Sequence, residues 1–145
     1  MKREIKFRAK RKDNNKWAFG DLVKDNAGGA WIETNLQTWR ENCDDVDAFG
    51  SRLYVDIDTV GQFTGLTDKK GREIYEGDII KFHFMTSNPS TSELFPTKKF
   101  FGEITTNKYN QWTILSDGLE IHIENAIKYG EIIGNIYDNK ELLEE

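Results

Sequence analysis

Apolar residues recur at every second position in several short stretches of the chain, a pattern that predicts β-strands with one buried face. The first stretch is residues 4–10, in which the side chains of Ile5, Phe7 and Ala9 alternate with basic side chains. The other predicted strands lie within residues 17–23, 31–39, 53–57, 60–63, 79–84, 99–106, 111–115, 119–123 and 132–136, and residues 36–41 also fit a short helical turn. A spacing of roughly 8–12 residues between strands is typical of a small barrel or sandwich. We therefore predict a mainly β fold.

The segment of residues 65–78 is dense in turn residues and divides the predicted strands into two groups. Within it, residues 68–71 have the composition of a tight turn, and Gly71 suits the positive φ angle that closes such a turn. We therefore predict two small packed β subdomains that cover residues 1–67 and residues 68–145.

Gly77 and Asp78 stand directly before an apolar run that begins at Ile79. A glycine with an unusual backbone angle, followed by an aspartate that fixes the turn, is a frequent entry into the first strand of a small barrel. We therefore expect the second subdomain to be barrel-like. Small barrels serve as binding modules more often than as enzymes, although a fold alone does not determine a function.

Two segments lack the alternation of a strand. Residues 85–97 are polar and contain both prolines of the chain, which predicts an exposed, mobile surface loop. Near the carboxyl terminus, Asp138 and Asn139 offer a cap for a short helix that carries Leu142 and Leu143.

The composition is that of an ordinary globular protein. Of the 145 residues, 37% are hydrophobic and 31% are charged. No window approaches the roughly 18 uninterrupted apolar residues of a membrane-spanning helix, and the amino terminus lacks the apolar stretch of a signal peptide. The single cysteine, Cys43, cannot form an internal disulfide, which fits a reducing compartment. We expect a cytoplasmic protein that does not interact with membranes.

Positive charge is concentrated at the amino terminus. Residues 1–12 carry seven Lys or Arg and one Glu, a balance of +6, so the rest of the chain sums to −11 to give the net charge of −5. A basic strand of this kind can follow the phosphates of a nucleic acid while Trp17 or Tyr75 stacks on a base. The residues concerned are Lys6, Arg8, Lys10, Arg11 and Lys12. We favour the alternative, a solvated strand face that discourages aggregation through the sheet edge.

Four segments carry a pattern that frames nearly the whole chain. They are residues 3–9 (Arg-Glu-Ile-Lys-Phe-Arg-Ala), 60–66 (Val-Gly-Gln-Phe-Thr-Gly-Leu), 71–79 (Gly-Arg-Glu-Ile-Tyr-Glu-Gly-Asp-Ile) and 133–139 (Ile-Gly-Asn-Ile-Tyr-Asp-Asn). Together they resemble the YopX family of phage and prophage proteins. The resemblance implies a mainly β gene product of a phage or prophage in a bacterial host, and it implies no catalytic residues.

Two groups of carboxylates are candidates for acid–base chemistry or for binding a hard cation. The first group, near the central turn, is Glu73, Glu76 and Asp78. We interpret these as solvated or turn-capping groups, which is the usual finding before a strand. The second group is Asp44, Asp45 and Asp47. It lacks the further ligands and the glycine of a calcium-binding loop, so we interpret it as a solvated loop.

The remaining chemistry-bearing residues do not form a recognisable site. His83 and His122 are each flanked by apolar residues on a predicted strand, and no spacing of histidine and cysteine fits zinc. The sequence also lacks a nucleophile elbow, a phosphate-binding glycine loop and a dinucleotide fingerprint. We therefore expect neither a cofactor nor a metal, and we expect that the protein is not an enzyme.

Protein binding is the function that the sequence favours. Four tryptophans and five tyrosines are many for so small a chain, and aromatic residues are enriched at protein interfaces. Trp31, Trp39 and Trp112 are the candidate interface residues, although each also fits a place in the core. The expected partner is a phage or host protein, and a second copy of the chain is equally compatible with these features. Nucleic-acid binding is the alternative, and an enzyme of unknown reaction ranks third.

Overall fold

The computed structural model describes residues 5–33 and 52–143 of the chain. Contacts divide it into two compact units, with the boundary between Phe63 and Thr64. Strands dominate both units, which confirms the mainly β prediction. The predicted subdomain boundary lies between residues 67 and 68, at the end of the strand Gly61–Thr67. The observed boundary lies within the same strand.

The N-terminal unit is built on antiparallel strands. These are β1 (Phe7–Lys10), β2 (Trp17–Lys24), β3 (Ala30–Glu33), β4 (Arg52–Tyr54) and β5 (Gly61–Thr67). Their order in the sheet is β4-β3-β2-β1-β5, and β5 runs across the boundary between the units. Most of the sheet is therefore a meander of neighbouring hairpins, and β5 returns to pair with β1.

Short polar turns join β1 to β2 and β2 to β3, as the sequence predicts. Asn15, between β1 and β2, has a φ angle of 62°, a conformation that asparagine tolerates better than most residues. Between β2 and β3, Oδ1 of Asp25 accepts hydrogen bonds from the backbone N–H groups of Ala27 and Gly29. The side chain thus replaces the backbone partners that the turn residues lose on leaving the sheet.

One face of this sheet forms the core of the N-terminal unit. Its buried apolar residues are Ala9, Ala18, Ala30, Ile32, Leu53 and Val55. The predicted alternation is confirmed at Ala9, which is fully buried, and it is wrong at Ile5, which is 65% exposed. Ile5 lies before the first residue of β1, where the sheet no longer fixes which way its side chain points.

The C-terminal unit contains the remaining described strands. They are β6 (Glu73–Tyr75), β7 (Asp78–Phe82), β8 (Met85–Ser87), β9 (Leu94–Pro96), β10 (Phe100–Thr106), β11 (Trp112–Ser116), β12 (Leu119–His122) and β13 (Glu131–Asn135). Five of them form an antiparallel sheet in the order β12-β11-β10-β7-β13, while β8 and β9 pair with each other and β6 pairs beside β5. The buried core of this unit consists of Ile74, Ile80, Phe82, Ile104, Ile114 and Ile123.

The entry into the five-stranded sheet follows the prediction from the sequence. Gly71 and Gly77 have φ angles of 81° and 92°, which residues with a Cβ atom rarely adopt. Oδ2 of Asp78 accepts a hydrogen bond from the N–H of Tyr75 at 2.8 Å, and Asp78 is only 2% exposed. The aspartate therefore fixes the turn between β6 and β7.

The predicted barrel is wrong for the described residues, because the five-stranded sheet is open, with β12 and β13 at its two edges. The chain between these strands forms a one-turn helix, Ile123–Ala126, and a 3₁₀ turn, Ile127–Tyr129. This connection packs against the core through Ile123. It adds no strand that would join the two edges of the sheet into a barrel.

The predicted C-terminal helix is also wrong, because Lys140–Leu143 form a single 3₁₀ turn. The expected capping residue has another role. Oδ1 of Asn139 accepts a hydrogen bond from the N–H of Asn135 at 3.3 Å, and it lies where a Cβ atom on Gly134 would stand. The side chain of Asn139 therefore closes the turn after β13, while its carbonyl oxygen accepts a hydrogen bond from the N–H of Leu142 at 3.0 Å at the start of the 3₁₀ turn.

Residues 85–97 are exposed, as predicted, but they are not an irregular loop. Met85–Ser87 and Leu94–Pro96 pair as an antiparallel hairpin in which Met85 faces Pro96 and Ser87 faces Leu94. Pro96 is tolerated because a proline at the edge of a sheet removes no ladder hydrogen bond that the structure needs. Within residues 5–33 and 52–143, no helix has the length and apolar content required to cross a membrane.

Candidate functional site

An exposed apolar surface of the described chain is the hairpin of Met85–Pro96, which we call the arm. All twelve of its residues are exposed, and Leu94, Phe95 and Met85 have 67%, 47% and 37% of their surface accessible. Glu93 is its one charged residue, in a protein of which 31% of residues are charged. Exposed apolar side chains with few charges are characteristic of the centre of protein interfaces.

The tip of the arm is held by its own polar side chains. Oδ1 of Asn88 accepts a hydrogen bond from the N–H of Ser90 at 2.8 Å, and the N–H of Ser92 donates to the carbonyl oxygen of Asn88 at 2.9 Å. The N–H of Asn88 donates to the carbonyl of Glu93 at 2.9 Å, and Ser92 has a φ angle of 60°. The tip therefore has a defined turn geometry.

The base of the arm is anchored on an aromatic cluster in the core. Phe82 and Phe100 are cross-strand partners whose rings stack with centroids 5.6 Å apart, and Phe84 packs against both, at 5.6 Å and 5.9 Å. The N–H of Thr97 donates to the carbonyl oxygen of Phe84 at 2.8 Å, and the N–H of Phe84 donates to Oγ1 of Thr97 at 3.0 Å. The arm is thus an extension of the β7–β10 pair.

The basic strand at the amino terminus does not have the exposure that the sequence suggests. Arg8, Lys10 and Arg11 are 8%, 9% and 6% exposed, whereas Lys6 is half-buried and Lys12 is exposed. The interpretation as a solvated strand face is therefore wrong for Arg8 and Lys10. Side chains that are this buried do not reach a phosphate backbone unless the fold rearranges.

Aromatic neighbours explain this burial. The register pairs Arg8 with Phe19 and Lys10 with Trp17, so these side chains share one face of the sheet. The guanidinium carbon of Arg8 lies 4.5 Å from the centroid of a Trp17 ring, and Nζ of Lys10 lies 5.5 Å from it. Both contacts are within the range of cation–π attraction. Trp17 is half-buried beneath these cations, and Tyr75 is 2% exposed, so neither presents a free ring to a base.

The candidate interface tryptophans have different surroundings. Trp31 is half-buried, packs against Tyr54 with ring centroids 5.9 Å apart, and carries the guanidinium of Arg52 at 4.8 Å. Trp112 packs partly against the core of the C-terminal unit. Trp39 lies outside the described residues. A role of Trp31 and Trp112 in an interface stays a prediction.

The predicted candidates for acid–base or metal chemistry do not come together in one site. Glu73 is exposed and Asp78 caps its turn, while the ring of His83 stacks on Tyr129 at 4.9 Å and His122 is exposed. Among residues 5–33 and 52–143, no group of three or more His, Cys, Asp or Glu is arranged to hold a metal ion. Cys43, Asp44, Asp45 and Asp47 lie outside the described residues.

A cavity of about 310 Å³ in the C-terminal unit was not foreseen from the sequence. It lies beside β10, and Glu103 stands among its lining residues. Burial in the cavity and the negative charge of Glu76 both raise the pKa of the Glu103 carboxyl group above its usual value. The only sequence signal was a carboxylate within the otherwise uncharged strand Phe100–Thr106.

Comparison with known proteins identifies the family. The model of the YopX protein family matches residues 6–144. The chain belongs to the YopX family. This membership confirms the resemblance carried by the four sequence segments, three of which lie wholly within the matched residues.

Among solved structures, the chain is similar to the crystal structure of protein EF1440 from Enterococcus faecalis. The two share 20% sequence identity with a TM-score of 0.51, and the alignment covers 98% of this chain and 99% of the other. At this identity the likeness shows the fold alone. None of the curated proteins matches the chain significantly.

Proposed function

We propose that the chain is a non-catalytic protein-binding or regulatory module that contacts its partner through the arm. The observation that supports this is an anchored hairpin whose twelve residues are all exposed and whose apolar side chains have no cover. Because the chain resembles the YopX family of phage and prophage proteins, we further propose an accessory role in the cytoplasm of a bacterial host. Its partner is then a phage or host protein, or a second copy of the chain.

Energetics favour a binding role for the arm over a purely structural one. An isolated two-stranded hairpin is marginally stable in water, so exposed apolar residues on it add little to the stability of the free protein. When a partner removes them from water, each Å² of apolar surface contributes roughly 25 cal/mol. Because the aromatic cluster of Phe82, Phe84 and Phe100 holds the base in place, less conformational entropy is lost on binding.

The charge of the arm favours a protein partner over a nucleic acid. The arm contains Glu93 and no lysine or arginine, and the whole chain has a net charge of −5. A phosphate backbone is attracted by clustered cations and repelled by an acidic protein. The arm is therefore suited to an uncharged, apolar protein surface.

Replacing the apolar residues of the arm tests this proposal. The variant Leu94→Ser with Phe95→Ser removes one apolar side chain from each face of the hairpin, and its fold should be preserved because both residues are exposed. The matched control is Tyr109→Ser with Leu119→Ser, which replaces residues of the same unit that are 69% and 67% exposed. Proteins captured by the wild type from bacterial lysate are quantified for all three baits. The purified partner is then titrated by calorimetry.

We expect a partner that the wild type and the control bind and that the arm variant binds at least about tenfold more weakly, as is usual when central apolar residues are lost. Light scattering over a range of concentrations identifies self-association, which the arm variant should abolish if the partner is a second copy. A wild type that stays monomeric and captures no protein dependent on the arm would contradict the proposal.

A further inference from the structure

The cavity beside β10 is lined by a cation, Lys99, an aromatic ring, Phe101, and a carboxyl group, Glu103. Phe101 and Glu103 are alternate residues of β10 that both line it, so their side chains share one face of the strand, and Lys99, which also lines it, directly precedes β10. The core-facing set begins with Phe100, which also reaches the lining, and includes Ile104. Phe101 and Glu103 therefore belong to the opposite face of the five-stranded sheet.

Apolar and polar side chains both line the cavity. Phe101 and Leu115 are 36% and 39% exposed, and the half-buried side chains of Leu142 and Leu143 complete the lining beside them. The 3₁₀ turn of Lys140–Leu143 packs against β10, so this wall is part of the fold.

The two ends of the cavity carry opposite charges without ionic partners. No ion pair within residues 5–33 and 52–143 engages either Glu103 or Lys99. Burial and the nearby charge of Glu76 disfavour the ionised form of Glu103 and raise its pKa, a cost that a bound cation would offset. The other lysine of the lining, Lys98, places its ammonium group 5.3 Å from the centroid of the Phe100 ring.

We propose that this cavity binds a small zwitterion, with its cationic group beside Glu103, its anionic group near Lys99 and its apolar chain over Phe101 and Leu115. Four residues of extended chain span about 13 Å, and the long flexible side chain of Lys99 shortens the gap that a ligand must bridge. Asp117, in the turn that follows β11, adds a second carboxylate at the rim. The site is separate from the arm, and it does not depend on the proposed protein-binding function.

Three six-carbon probes test the arrangement on the full-length protein. They are 6-aminohexanoate, which has both charges, hexylamine, which has only the cation, and hexanoate, which has only the anion. Binding is followed by NMR chemical shifts of the backbone amides around the cavity. Glu103→Gln and Lys99→Gln each remove one charge with little change in size, and Glu124→Gln with Lys108→Gln is the matched control among exposed residues outside the cavity.

We expect saturable shifts at the cavity, with 6-aminohexanoate binding more tightly than either single-charge probe. Glu103→Gln should weaken 6-aminohexanoate and hexylamine about tenfold and leave hexanoate unchanged, because a hydrogen bond to a charged group is lost. Lys99→Gln should weaken 6-aminohexanoate and hexanoate and leave hexylamine unchanged. The proposal is overturned if the cavity amides show no saturable shift, or if the three probes bind the variants and the wild type alike.

Discussion

At the scale of single residues, the side chain of Asp68 connects separate parts of the C-terminal unit. Its carboxylate is fully buried, and Oδ1 accepts hydrogen bonds from the N–H groups of Lys70 and Arg72, both at 2.9 Å. Oδ2 accepts from Nε of Arg72 at 3.1 Å and from the N–H of Ile132 at 3.0 Å. One carboxylate thus closes the turn between β5 and β6 and ties it to β13.

Replacing Asp68 with asparagine should destabilise the protein. The amide group of asparagine keeps one acceptor oxygen and places an NH₂ donor at the position of Oδ2. There it cannot accept the two hydrogen bonds that Oδ2 receives from the guanidinium of Arg72 and the N–H of Ile132. We expect the free energy of unfolding to fall by about 2–3 kcal/mol, the range for a lost hydrogen bond to a charged group. Urea denaturation measures this difference. The control is Asp117→Asn, an exposed residue with a φ angle of 50° that asparagine also tolerates, for which we expect about 0.5 kcal/mol or less.

The effect of Asp68→Asn should also depend on pH. Burial alone raises the pKa of Asp68, but the hydrogen bonds from Ile132, Arg72 and Lys70 together outweigh it and lower the pKa below the ordinary value of 3.8. A lowered pKa in the folded state means that the carboxylate stabilises the fold above about pH 4, and that this contribution is lost as the pH falls further. Urea midpoints of the two proteins should therefore converge below pH 4. A constant difference down to pH 3 would contradict this assignment.

Sequence reasoning reached only part of this residue-scale picture. The turn residues Gly71 and Gly77 could be identified because their signal is local, a glycine where the chain must reverse. The role of Asp68 could not, because one of its partners, Ile132, lies 64 residues away. Hydrogen bonds of this kind depend on the sheet order, which no local pattern contains.

At the scale of elements, β1 shows how an alternating pattern can be recognised while its burial is misjudged. Its apolar face packs into the core at Ala9, as predicted. Its basic face is also buried, because aromatic residues of β2 stand opposite the cations in the register. Alternation reveals the two faces of a strand, but the partner strand decides what covers each of them.

This covering predicts the effect of charge reversal in β1. Arg8→Glu replaces a guanidinium over Trp17 with a carboxylate that is repelled by the ring face and is costly to bury. We expect the free energy of unfolding to fall by at least about 2 kcal/mol, as measured by urea denaturation. Lys12→Glu, at an exposed position of the same segment, should change it by about 0.5 kcal/mol or less. Equal, small effects of the two variants would contradict the packing described for Arg8.

The arm is the element that sequence reasoning predicted least well. Its strands are three residues each, too short for alternation to be seen, and both prolines of the chain lie within it. Only its exposure was predicted, from its polar composition. Its pairing follows from the antiparallel β7–β10 ladder below it, which holds Phe84 and Thr97 opposite each other. Because the β7–β10 ladder already holds the two strands of the arm side by side, they can pair without a strong strand pattern in their own sequence.

At the scale of the whole molecule, family and fold class could be read from the sequence, whereas the architecture could not. Motifs at both ends and in the centre of the chain carry the family, and the short alternating stretches carry the mainly β class. The open five-stranded sheet depends on β7 pairing with both β10 and β13, which are far apart in sequence. The cavity depends on the same arrangement, since Leu142 meets β10 only after the sheet has formed.

Charge at this scale bears on the nucleic-acid alternative. The amino-terminal balance of +6 is the one feature that favours nucleic acid, but Arg8, Lys10 and Arg11 are buried, and Arg11 is also paired with Asp13. The remaining accessible cations of the set are Lys6 and Lys12, in a chain of net charge −5. Within the described residues this set therefore supplies few phosphate contacts, and phosphate contacts provide most of non-specific binding. Lys2 and Arg3 lie outside the described residues.

We therefore expect no retarded band when the wild type is mixed with single- or double-stranded DNA in a gel at low salt. Low salt is the most favourable condition for detecting such binding, since each phosphate contact weakens as salt is added. The charge-reversal variant for this test is Lys12→Glu, because it leaves the fold intact, whereas Arg8→Glu would disturb it. A salt-sensitive band that the wild type gives and Lys12→Glu weakens would show that the basic segment binds DNA, and the nucleic-acid alternative would then replace the arm as the leading proposal.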